Sequence, residues 1–146
     1  MTSSKSKKAI IGCGGHARSI VPILMELGYI IEGIYDDSYE FELGKASILK
    51  EGSKAAIIAS GTMVHEALKA HELLKQQDLS VNVVNIHTIK PLDKPTILKS
   101  VSKTRAVVTV EEHQVIGGLG GSIAELLSEH YPIPLIRVGM QDRFGE

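Results

Sequence analysis

The chain has 146 residues, 43% apolar and 23% charged, which suits one ordinary folded domain and excludes a disordered tail, a fibrous rod or a disulfide-stapled miniature. Sixteen Lys and Arg against seventeen Asp and Glu, with no Trp and only two Phe, provide neither the basic footprint nor the aromatic platform that nucleic acids require. Cys13 is the only cysteine, and no apolar run approaches the roughly 20 residues of a bilayer span, so a reducing, cytoplasmic setting away from membranes is expected.

Residues 8–12 are a short β-rich run that ends in Gly12-Cys13-Gly14-Gly15. Residues 17–27 carry Ile20, Val21, Leu24 and Leu27 at helical spacing, and Gly28 follows as a C-terminal cap would. Residues 29–35 form a second strand on Ile30, Ile31 and Ile34, closed by Asp36-Asp37, which completes one βαβ unit. A short strand is predicted at 45–50, between Gly44 and Gly52.

Beyond it the alternation is regular. A buried strand at 55–59 runs into Ser60-Gly61-Thr62, a turn whose hydroxyls suit a cap, and then a helix on Val64, Leu68, Leu73 and Leu74 ends near Gln77. A strand at 81–86 precedes a short helix that starts at Asp93, has Pro95 near its first position and runs to Val101. A strand at 105–110, a helix at 122–129 and a strand at 135–138 complete the pattern. Strands alternating with helices predict an α/β fold, a three-layer α/β/α sandwich around a mostly parallel sheet.

Two segments carry candidate chemistry. Gly12-Cys13-Gly14-Gly15-His16-Ala17 follows a strand, opens a helix and matches G-x-G-x-x-A, with Asp36 and Asp37 at the end of the next strand. Such glycines let backbone approach a diphosphate, the helix N-terminus supplies N–H groups, and the acid can hold a ribose hydroxyl. Gly12, Gly14, Gly15, His16, Asp36 and Asp37 are therefore the candidate nucleotide-binding residues; a tight turn without a ligand is the plainer reading. His16 and Cys13 read as a polar turn residue and a packed small residue, since neither has a visible catalytic partner.

The second segment is Glu111-Glu112-His113 at a strand end, followed by Gly117-Gly118-Leu119-Gly120-Gly121 entering a helix. An open α/β sheet places ligands there, and the glycines suit an anion nest, although the two acids would repel a phosphate. His65 and His71 do not form a zinc pair: six residues apart, they point about 120° away from each other on a helix. No metal ligands and no catalytic residues are assigned.

From about residue 40 to 146 the chain resembles the C-terminal domain of transketolases, especially the separate C-terminal subunits of split transketolases. The likeness rests on Phe41-Glu42-Leu43-Gly44-Lys45, Ile57-Ile58-Ala59-Ser60-Gly61-Thr62 and Ile86-His87-Thr88-Ile89-Lys90-Pro91-Leu92-Asp93. It continues through Val108-Thr109-Val110-Glu111-Glu112-His113, Ile116-Gly117-Gly118-Leu119-Gly120 and the ending Asp142-Arg143-Phe144-Gly145-Glu146. The resemblance implies five strands in the order 1-3-2-4-5 with strand 1 antiparallel, which makes 45–50 the antiparallel edge. It also implies that thiamine diphosphate is held elsewhere, because the Gly-Asp-Gly metal motif and the activating Glu of the family are not in this sequence.

Residues 1–37, from Ile10-Ile11-Gly12 through Gly33-Ile34-Tyr35-Asp36-Asp37, are similar instead to the start of sialic-acid-type sugar O-acyltransferases. In that family a small Rossmann-like N-terminal domain binds the nucleotide-sugar, while the catalytic His and the acetyl-CoA site belong to a β-helix that this sequence lacks. Two resemblances in one chain imply a βαβ fragment at 1–37 merged with a transketolase C-terminal-like domain at 38–146, with a seam within 33–40. The expectation is an engineered or recombined chimeric scaffold without complete catalytic machinery. The alternatives are a nucleotide or nucleotide-sugar binding module, and a non-catalytic transketolase subunit that needs a thiamine-binding partner chain. Exposed strand edges at such a junction also favour a homodimer.

Overall fold

The computed structural model describes residues 7–11, 26–27, 29–34 and 42–142. The chain divides into two compact units, Met1–Phe41 and Glu42–Glu146. In the first, β1 (Lys7–Ile11) and β2 (Tyr29–Ile34) pair in parallel from Lys7↔Tyr29 to Ile11↔Ile34, with a bulge between Ala9 and Ile10. Parallel neighbours need a crossover of a dozen or more residues, as the βαβ reading expects. The predicted helix at 17–27 lies outside the described residues except at its last turn, where Glu26 is helical and Leu27 begins the exit.

The second unit runs β3 (Ser47–Lys50), β4 (Ala55–Ala59), α1 (Met63–Lys75), β5 (Val81–Asn85), α2 (Lys94–Val101), β6 (Val107–Gln114), α3 (Leu119–His130) and β7 (Leu135–Met140). The sheet order is β3-β5-β4-β6-β7; β3 is antiparallel to β5 and the other pairs are parallel. This is the expected 1-3-2-4-5 order with its antiparallel edge.

Alternation along the strands builds the layers. Ala56 and Ile58 of β4 and Val84 of β5 point to one face, where they pack with Ile97 and Val101 of α2 and Ile123, Leu126 and Leu127 of α3. Ile57 and Ala59 of β4 and Val81 and Val83 of β5 point to the other, against Ala67, Val64, Leu68 and Leu74 of α1. The central strands are buried on both faces, which is why they read as continuous apolar runs.

Asp93 ties the edge strand to the α2 layer. Its Oδ1 accepts from the Thr96 N–H at 3.2 Å, the expected cap, and its Oδ2 accepts from the Ala46 N–H at 2.9 Å. Burial pushes this carboxyl up, but the Ala46 N–H, the Thr96 hydroxyl and N–H and the Lys45 charge together hold it below the usual carboxylate range.

Two boundaries in the second unit differ from expectation by more than two residues. β6 was expected to end at Val110 but runs on to Gln114, because pairing resumes at Gln114↔Met140 after an irregularity. α3 begins at Leu119 rather than Ser122, so Gly120 and Gly121 lie inside its first turn. Gly120 is required there by packing: a Cβ would come 2.8 Å from Thr109 Oγ1 and 3.0 Å from Arg137 Cγ.

Candidate functional site

The helices that follow β4 and β6 leave the sheet on opposite faces, α1 toward β5 and α3 toward β7. The loops beyond these two neighbouring strands therefore diverge, and the crevice between them is the topological switch point where open α/β sheets bind ligands. A cleft of about 420 Å³ lies there, lined by Ser60, Gly61, Thr62, Ile89, Glu111, Glu112, His113, Gly117 and Gly118. Gly61 and Gly117, at φ +58 and +78, supply the left-handed turns that open its walls.

Glu111 dominates the interior of this cleft and is 4% exposed. Its Oε2 accepts from the Leu119 N–H at 2.6 Å and its Oε1 from the Gly120 N–H at 2.7 Å. A helix start leaves its first N–H groups without intrahelical partners and carries positive potential, so a carboxylate taking two of them is strongly favoured. The anion nest expected of Gly117–Gly121 is thus filled by the chain's own side chain. Gly118 leaves the room for it: a Cβ there would overlap Glu111 Oε2. This corrects the reading of the glycines as a phosphate cradle.

Glu112 points to the opposite face of β6 and accepts a hydrogen bond from Thr62 Oγ1 at 2.6 Å, which joins the two lips of the cleft. Thr62 is the N-cap residue of α1 but makes no side-chain cap bond, so its expected role as a hydroxyl cap is replaced by this contact. His113 is exposed and its Nδ1 lies 3.0 Å from the Gln114 carbonyl oxygen. Ser60, Thr62, Glu112 and His113 share the rim of the cleft, and the Thr62–Glu112 hydrogen bond holds its two loops together. His71 is buried with its Nδ1 2.9 Å from the Val81 carbonyl oxygen, whereas His65 is exposed on the same helix, so the pair stays apart as expected.

Gly12, Cys13, Gly14, Gly15, His16, Asp36 and Asp37, the candidate nucleotide loop and its acids, lie outside the described residues. Thiamine diphosphate with its metal does not fit the described residues. No group of three or more His, Cys, Asp or Glu among them could hold a metal ion, and the glycine-flanked helix N-terminus at α3 is taken by Glu111. Sequence reasoning placed Glu111 at a strand end but missed its capping role. The signal was an acid eight residues before a Gly-Leu-Gly helix start, visible only once β6 and α3 are known to be adjacent.

Among known families, "Transketolase, C-terminal domain" matches residues 44–146 and "PglD N-terminal domain" matches residues 7–68. The two matches overlap at residues 44–68. A "6-deoxy-6-sulfo-D-fructose transketolase subunit SqwH" of Clostridium sp. (strain MSTE9) is 52% identical over 113 residues, which are 77% of this chain and 35% of that protein. A "Putative transketolase C-terminal section" of Methanocaldococcus jannaschii is 45% identical over 117 residues, 78% of this chain and 36% of that one. A solved chain described as "Split gene transketolase, inactive beta4 tetramer" has a TM-score of 0.76 and 36% identity, and covers 96% of this chain with 50% of its own length. This chain therefore spans about a third of those two relatives and half of the solved chain. These likenesses provide no support for an engineered recombination, nor for a bound nucleotide.

Proposed function

Because the chain belongs to the transketolase C-terminal domain family, we propose that it is the non-catalytic C-terminal portion of a split transketolase. It becomes part of an active enzyme only with the chain that binds thiamine diphosphate. The observation that carries this reading is the 52% identity over 113 residues to a named transketolase subunit. The Glu111 cap supports it, since the anion position at the start of α3 is consumed in holding the fold. Like the solved tetrameric relative, copies of the chain associate with one another. No helix among the described residues is long and apolar enough to cross a membrane; the cytoplasmic setting is our proposal and rests on the lone Cys13. Gly12, Gly14, Gly15, His16, Asp36 and Asp37 stay within this proposal only as a nucleotide contact, to be checked by thermal shift with nucleoside diphosphates.

The test is reconstitution. Ketol transfer between sugar phosphates, measured with thiamine diphosphate and magnesium, is expected to be absent for this chain alone and to appear when the thiamine-binding chain of the same split enzyme is added. Turnover by this chain alone would refute the proposal, as would failure of the two chains to co-elute and act together.

A further inference from the structure

We infer that residues 42–46 form a strap that opens from the β5–α2 loop while the five-stranded sheet stays folded, so that the connection ahead of β3 has two lengths. The strap begins at the division between the two units and ends where β3 starts to pair, at Ser47↔Asn85. Three side chains of the loop between β5 and α2 hold it. The His87 Nε2–H donates to the Glu42 carbonyl oxygen at 3.1 Å, the Gly44 N–H donates to Thr88 Oγ1 at 3.2 Å, and the Ala46 N–H donates to Asp93 Oδ2 at 2.9 Å. Thr88 and Asp93 are 8% and 7% exposed, so the core of the unit fixes these two acceptors whether or not the strap is seated. Gly44 lets the strap turn against the loop: its φ is +79, and a Cβ there would come 3.0 Å from Pro91 Cγ.

Polar contact, rather than packing, keeps the strap in place. Glu42, Leu43 and Lys45 are exposed, Leu43 at 71%, and Ala46 is the one strap residue that packs against a core cluster. Release therefore uncovers little apolar surface, whereas the central strands behind it are buried on both faces. Segments with few buried contacts open locally, at free energies well below that of global unfolding. The tethers lie within five consecutive residues, so they are made and lost together. Opening adds those five residues, at most about 17 Å of extended chain, to the connection upstream of β3. The strap thus sets how far the preceding chain can reach. Asp93 ties that setting to the helical layer, because its other oxygen caps α2 at the Thr96 N–H.

Amide hydrogen exchange, followed by NMR on the isotope-labelled full chain, decides the matter. In the wild-type chain the Gly44 and Ala46 amides are expected to exchange through one shared opening that low urea does not change, while Ile58 and Val84 exchange only with global unfolding. Thr88→Val removes the Gly44 acceptor and is expected to speed exchange at Gly44 and, through the shared opening, at Ala46 by roughly tenfold or more. Asp93→Asn, which turns a donor toward the Ala46 N–H, is expected to do the same at both amides. Thr88→Ser keeps the hydroxyl and restores protection at both. Urea unfolding of each variant measures the change in global stability, which is all that Ile58 and Val84 should follow. Far-UV circular dichroism checks folding, and Asp93→Asn carries the test if Thr88→Val fails to fold. Exchange of Gly44 and Ala46 only through global unfolding of the wild-type chain would overturn the inference. So would variants that each speed the amide of their own lost bond and leave the other unchanged, since the tethers would then act separately and not as a strap.

Discussion

Glu111 shows how one side chain can close a site that its surroundings seem to open. Its two oxygens satisfy the Leu119 and Gly120 N–H groups, so β6 and the start of α3 are joined by charge-assisted bonds in a buried setting. Glu111→Gln keeps the shape but offers one amide N–H₂ group to a backbone N–H, a donor facing a donor. A loss of about 2–3 kcal/mol is expected, read as a lower urea midpoint with an unchanged slope. An unchanged midpoint would show that the cap contributes nothing. Asp93 makes a pH-dependent version of the same contribution. Its folded-state carboxyl is held below the unfolded value of about 3.9, so its stabilising effect is complete above that pH and is lost as pH falls through the lower folded value. Asp93→Asn still caps α2, and is expected to lose about 1 kcal/mol at neutral pH with the gap to wild type narrowing below about pH 4. A gap that stays constant on acidification would contradict this.

At the scale of elements, the loop between β6 and α3 is the most constrained piece of backbone in the site. Gly118→Ala would drive a methyl group into the Glu111 carboxylate, so the cap and the added carbon cannot both keep their places. The expected cost is about 3 kcal/mol or more, well beyond the roughly 1 kcal/mol usual for an alanine at an N-cap, and is measurable as a drop in Tm. Gly121→Ala, in the first turn of α3, is the natural comparison, because a Cβ there meets nothing within 4 Å. The same loop marks where the sequence was legible and where it was not. β4, α1, α2 and β7 follow from apolar periodicity, Asp93 and Pro95, all of which are local signals. The extension of β6 through Glu111, Glu112 and His113 was hidden, because charged residues on a strand end look like a loop until the parallel neighbour that pairs at Met140 is known. The start of α3 was hidden for a related reason: two glycines argue against a helix locally, and a carboxylate eight residues upstream argues for it only in three dimensions.

For the whole molecule, the division at Phe41 and Glu42 leaves the two units with different means of standing alone. The second contains all five strands of its sheet and a helical layer on each face, with Ile58, Val84, Ile97 and Ile123 fully buried inside it. The first contributes a two-stranded parallel sheet within about 40 residues, a size at which a chain seldom buries enough apolar surface to fold by itself. A fragment comprising residues 42–146 is therefore expected to keep its α/β circular dichroism and a single cooperative thermal transition, whereas residues 1–41 alone show neither. The physical reason is the burial inside the second unit, whose described core clusters, built of residues from 46 onward, oppose that unit's chain entropy. A fragment 42–146 that melts without cooperativity would mean that the first unit supplies part of the second unit's stability, and would move the boundary between independent and dependent parts of this chain upstream of Glu42.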